Sequence, residues 1–91
     1  MTSRSGRVTL DVGEEKTVIA EGLSGSTHAV YRFFNSGKEG DAVTIRESGG
    51  SLSVTLDLRD SVDVPVGKKE ILVKAGAKTA EVVYELLGYV T

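Results

Sequence analysis

At 91 residues, with 40% hydrophobic and 26% charged residues, the chain is long enough for one hydrophobic core and too apolar for a disordered segment. Its net charge is −2, with acids and bases interspersed. That offers no basic track for nucleic acid or an anionic membrane. The absence of cysteine excludes disulfides and thiolate metal sites, and no apolar run reaches bilayer length.

The chain opens on polar MTSRSG, which lacks an apolar stretch of signal-peptide length. Residues 1–6 read as a flexible arm and 7–91 as a single domain. A retained starting Met1 and a cytoplasmic or virion-associated setting are expected. Beyond the arm, apolar residues alternate. Val8, Leu10 and Val12 share one side of RVTLDV, as do Leu52, Val54, Leu56 and Leu58 in SLSVTLDL, and Val62, Val64 and Val66 in SVDVPV. Period-2 alternation marks half-buried strands. Eight are expected, over 7–12, 15–22, 27–35, 41–47, 52–58, 61–66, 69–75 and 79–87, with most glycines at the junctions. The spacing predicts an all-β fold: a small antiparallel β-sandwich, jelly-roll or Ig-like, with two pseudo-repeated hairpin units as a further option.

Gly49-Gly50 supplies the backbone freedom a two-residue turn needs. Centring a hairpin there pairs Glu47 with Leu52, Ile45 with Val54 and Val43 with Leu56 on an apolar face. Arg46 then meets Ser53, and Thr44 meets Thr55, on a polar one. A slip of one residue would invert both faces, so the register is specified. A second hairpin is expected at Gly76-Ala77, pairing Val73 with Ala80 and Ile71 with Val82. Pro65 cannot donate to a ladder and belongs on an edge, or where the chain changes sheets.

The stretch VGEEKTVIAEG (12–22) aligns with VGKKEILVKAG (66–76), and HAVYRFF (28–34) with EVVYELL (81–87). Either β-hairpins of similar length look alike, or a hairpin was duplicated. Both readings pair 15–22 with 27–35 and 69–75 with 79–87.

No catalytic, cofactor or metal constellation is legible. His28, the single histidine, has no second histidine and no sequence-close Ser–Asp pair, and reads as a structural or surface residue. Asp57, Asp60 and Asp63 flank a turn, where Asp60 is a natural turn residue; a weak calcium site is the alternative use of the three. GLSGS (22–26) and SGKEG (36–40) lack the phosphate-loop pattern and read as loops. Tyr31, Phe33, Phe34, Tyr84 and Tyr89 read as core or interface packing.

Strands 27–35 and 79–87 are apolar on both faces. Val30, Phe34, Val83 and Leu87 should share the face opposite Tyr31 and Tyr84, and are the candidate interface residues. The expected function is therefore that of a non-catalytic structural or assembly protein. It would act by self-association into a homo-oligomer or by docking on a larger β-rich partner, as in a virion or surface layer. A small ligand-binding module, with carbohydrate as ligand, is the alternative. No nucleic acid, membrane or cofactor is expected.

Overall fold

The alternation seen in the sequence builds two four-stranded antiparallel sheets in a computed structural model, which describes residues 5–19, 28–37 and 42–90. The strands are β1 (Ser5–Leu10), β2 (Glu15–Ile19), β3 (His28–Asn35), β4 (Val43–Glu47), β5 (Ser53–Leu56), β6 (Ser61–Val66), β7 (Ile71–Lys74) and β8 (Ala80–Val90). One sheet runs β1-β8-β3-β6 and the other β2-β7-β4-β5. Strand β1 starts at Ser5, so residues 5 and 6 of the expected arm belong to the sheet; residues 1–4 lie outside the described residues, as do 20–27.

The topology is one long hairpin rolled on itself. From the tip between β4 and β5 outwards, the chain pairs β4 with β5, β3 with β6, β2 with β7 and β1 with β8, all antiparallel. Rolling then brings β8 beside β3 and β7 beside β4. This order is that of a jelly roll rather than an Ig-like sandwich.

The expected register at the tip is observed: Val43↔Leu56, Thr44↔Thr55, Ile45↔Val54 and Arg46↔Ser53. The turn itself differs in detail. Only Gly49 has positive φ, at 72°. Gly50 N donates to Glu47 O at 3.4 Å, and Glu47 N to Leu52 O at 3.1 Å. The bend is therefore centred on Ser48-Gly49 and the pairing resumes at Glu47.

The second expected hairpin does not form. β7 and β8 lie in different sheets, as do β2 and β3, so neither 69–75 with 79–87 nor 15–22 with 27–35 is paired. The end of β7 is instead held by the β1–β2 turn: Ala75 N donates to Glu14 O at 2.8 Å, and Gly13 N to Gly76 O at 2.9 Å. Alternation specifies which side of a strand is buried and is silent on which strand lies beside it. Pro65 is on β6, an edge of its sheet, as a residue without an N–H requires.

The core fills the space between the sheets. Phe33, Val64, Val66 and Val82 meet Ile19, Val43, Ile45, Leu56, Ile71 and Val73, all nearly or wholly inaccessible. Asn35 is the single buried polar residue among those described, at 1% exposure. Its Nδ2 donates to Leu56 O at 3.2 Å. Its backbone N donates to Asp60 O, and its carbonyl accepts from Arg59 N. Asn35 thus fastens the end of β3 to the β5–β6 turn.

Candidate functional site

Residues of odd number in β3 point inward: Ala29, Tyr31, Phe33 and Asn35 are buried. Opposite them on β8 lie Leu86 against Tyr31 and Tyr84 against Phe33. The Tyr31, Phe33 and Tyr84 rings cluster with centroids 5.8–6.5 Å apart, in tilted arrangements that aromatic quadrupoles favour. Room for the Tyr84 ring comes from Gly6, its partner on β1, where a Cβ would sit 2.7 Å from the ring. Burial, and then the neighbouring Tyr89 and Tyr84, hold the Tyr31 phenol above its ordinary pKa.

Even-numbered β3 residues point outward, and with them comes the face expected to make contacts. Phe34 lies opposite Val83. Val30 lies between Gly88 on β8 and Pro65 on β6. The ladder shifts between Val30 and Tyr31, which leaves Leu87 without a pairing partner on β3, in a bulge. Val30, Phe34 and Val83 are half-buried, and Leu87 is 43% exposed. Leu87, Tyr89 at 61% and Val90 at 52% are the large exposed apolar residues of this sheet.

The apolar stripe is not continuous. Between Phe34–Val83 and Val30–Leu87 runs a row of polar partners, Ser5↔Glu85↔Arg32↔Asp63. Arg32 donates to both Asp63 oxygens, Nε to Oδ1 at 2.8 Å and Nη2 to Oδ2 at 3.2 Å. The pair lowers the Asp63 pKa and raises that of Arg32, to which Glu85 adds a smaller charge effect. Arg32 and Glu85 occupy outward positions within the stripe. A shallow groove of about 320 Å³ is lined by Ser5, Arg32, Phe34, Val83, Tyr84 and Glu85.

The outer face of the second sheet is different in kind. It presents Thr17, Thr44, Ser53, Thr55 and Lys74 around a half-buried Leu72, and a bidentate bridge from Arg46 to Glu15 at 2.7 and 2.9 Å. The bridge joins β4 to β2 across the intervening β7. Its hydrogen bonds hold the Glu15 carboxyl below the ordinary range, against a smaller opposing effect of burial.

His28 is exposed at the end of β3, its ring 3.0 Å from where Gly67 would carry a Cβ. It borders a crevice of about 420 Å³ with Glu47, Leu52, Pro65 and Val90. Asp57, Asp60 and Asp63 serve separate local roles, the first through its backbone carbonyl and the other two through their carboxylates. Asp57 O accepts from Asp60 N at 3.1 Å, Asp60 Oδ1 accepts from Ser61 N at 2.9 Å, and Asp63 is bound to Arg32. No group of three His, Cys, Asp or Glu side chains placed to hold a metal ion occurs among the described residues. No described helix is long and apolar enough to cross a membrane.

Sequence reasoning passed over three polar features: Asn35, the Arg46–Glu15 bridge and Arg59, whose φ of 65° is the one positive value among described non-glycine residues. Asn35 was detectable, because it falls on the inward parity of an otherwise apolar strand. The bridge joins strands whose adjacency depends on the roll.

No protein family matches the chain, and no curated protein sequence does. Among solved structures, it is similar to the solution NMR structure of a de novo designed double-stranded beta-helix, at a TM-score of 0.57 and 16% identity over 92% of this chain and 99% of the other. That likeness concerns the fold, and agrees with the two-sheet roll described above.

Proposed function

We propose that the protein is a non-catalytic assembly component that associates through the outer face of the β1-β8-β3-β6 sheet, with itself or with a larger β-rich partner such as a virion or surface layer. The observation that carries this reading is the difference between the two outer faces. One sets a single Leu72 among polar partners and is laced by a salt bridge, whereas the other carries Val30, Phe34, Val83 and Leu87 with Val90 nearby. Burying a Leu or Phe is worth roughly 1.5–3 kcal/mol. The Arg32–Asp63 pair and Glu85 among these residues would set orientation, as charges commonly do at interfaces.

Light scattering at two concentrations tests it, with Phe34→Asp combined with Leu87→Asp as the disrupting variant. The wild type should be the larger species, and the variant smaller while remaining β-rich by circular dichroism. A wild type that is monomeric at high concentration and binds no macromolecule overturns the reading. A second reading, a small carbohydrate-binding module, is favoured by one feature: Tyr89 is exposed beside Tyr31 and Tyr84. Retention on a polysaccharide matrix that Tyr89→Ala abolishes would support it.

A further inference from the structure

The internal repeat and the strand pairing are independent observations, and they coincide. Sequence alignment equates 12–22 with 66–76 and 28–34 with 81–87, so β2 corresponds to β7 and β3 to β8. In the fold, β2 lies beside β7 and β3 beside β8, both antiparallel. The β3–β8 register also matches, whereas the β2–β7 ladder shifts between Thr17 and Ile19. Tyr31, equivalent to Tyr84, faces Leu86, and Phe33, equivalent to Leu86, faces Tyr84. Arg32 faces Glu85, its own repeat equivalent, which places the two on a pseudo-two-fold axis. The outer strands extend the symmetry, because Ser5 on β1 flanks Glu85 as Asp63 on β6 flanks Arg32.

Charges are inverted between the repeats. Glu14-Glu15-Lys16 corresponds to Lys68-Lys69-Glu70, and Arg32 to Glu85. This bears on which copy of a strand each one chooses. Were β3 to pair about the same axis with β3 of a second chain, arginine would face arginine. For β8 glutamate would face glutamate, and for β7 Lys74 would face Lys69. The observed pairs are Arg32↔Glu85 and Glu15↔Lys74, each of opposite sign. Like charges directly opposed across a ladder destabilise it and opposite charges support it. Partner choice between similar strands depends on that difference.

We propose that the roll is an internally duplicated, pseudo-two-fold structure, in which the Arg32–Glu85 pair on the axis commits β3 to β8 and disfavours the like-with-like pairing of β3 with β3, or of β8 with β8, between two copies. This is a selection between strands at their backbone edges. It is separate from the face-to-face association proposed above.

Two variants test it after refolding at high protein concentration, read by light scattering and circular dichroism. Glu85→Arg sets two arginines on the axis. It should raise the like-paired, higher-mass fraction severalfold over the wild type. Reversing the whole row, with Ser5→Asp, Glu85→Arg, Arg32→Glu and Asp63→Ser, keeps opposite charges on the axis and exchanges the two flanks. It should restore the wild-type mass distribution and β content. A reversed row as impaired as Glu85→Arg would show that the flanks are not equivalent and overturn the duplication. An unchanged mass distribution in Glu85→Arg would overturn the selective role.

Discussion

At the scale of single residues, polar groups fix the geometry that the apolar pattern leaves open. Asn35 is surrounded by core and yet satisfied, through Leu56 O, Asp60 O and Arg59 N. Asn35→Ala would remove the donor to a carbonyl that water reaches poorly, and should destabilise the fold by about 1–3 kcal/mol in urea melts. A loss under 0.3 kcal/mol would mean that the β5–β6 turn holds without it. The surface pairs act through pH. The folded-state pKa of Glu15 and that of Asp63 both lie below the ordinary carboxylate value. Each pair therefore supports folding fully above that ordinary range and loses its effect as pH falls through the lowered value. Arg46→Met should be less stable than wild type at neutral pH, and the difference should close below about pH 4. A difference that stayed constant down to pH 2 would assign the effect to packing of the arginine stem.

At the scale of elements, the β4–β5 tip shows why two adjacent glycines are not interchangeable. Gly49 has φ 72°, a conformation that asparagine also tolerates. Gly50 does not have positive φ; a Cβ there would lie 2.8 Å from the Glu47 Cβ and closer still to its carboxylate. Gly49→Asn should cost under about 0.5 kcal/mol and Gly49→Val about 1–2 kcal/mol. Gly50→Asn should cost roughly 1 kcal/mol or more through crowding. Equal melts for the two asparagine variants would place the bend elsewhere. The register at this tip was legible in the sequence because both faces of both strands are committed, Val43, Ile45 and Leu56 to the core and Thr44, Thr55 and Arg46 to water. The partners of β7 and β8 were not. Ile71, Val73, Ala80 and Val82 all point inward, so a local hairpin and a crossing to the other sheet satisfy the same pattern. Arg32 and Glu85 were present in the sequence as interruptions of the outer stripe. Parity alone places them between Val30 and Phe34 and between Val83 and Leu87.

At the scale of the molecule, every pairing except the tip joins distant parts of the chain, up to Ser5 with Glu85. Closing such loops before contacts can compensate is slow, so folding should take milliseconds to seconds rather than microseconds. Stopped-flow refolding would show this, and a microsecond phase carrying the full amplitude would contradict the topology. The roll also determines how it meets force. β1 begins and β8 ends at the same end of the molecule, as an antiparallel neighbour pair at one edge of a sheet. Tension applied through the two termini therefore pulls perpendicular to that ladder and loads its hydrogen bonds one after another instead of together. The protein should yield at low force by peeling β1 from β8. A handle moved from the amino terminus to the β1–β2 turn at Gly13, at the opposite end of the β1–β8 ladder, would draw along the strands and meet greater resistance. In an assembly held by the outer face of this sheet, a tether at either terminus would act as the weak link, letting the chain lengthen before the contact between molecules gives way.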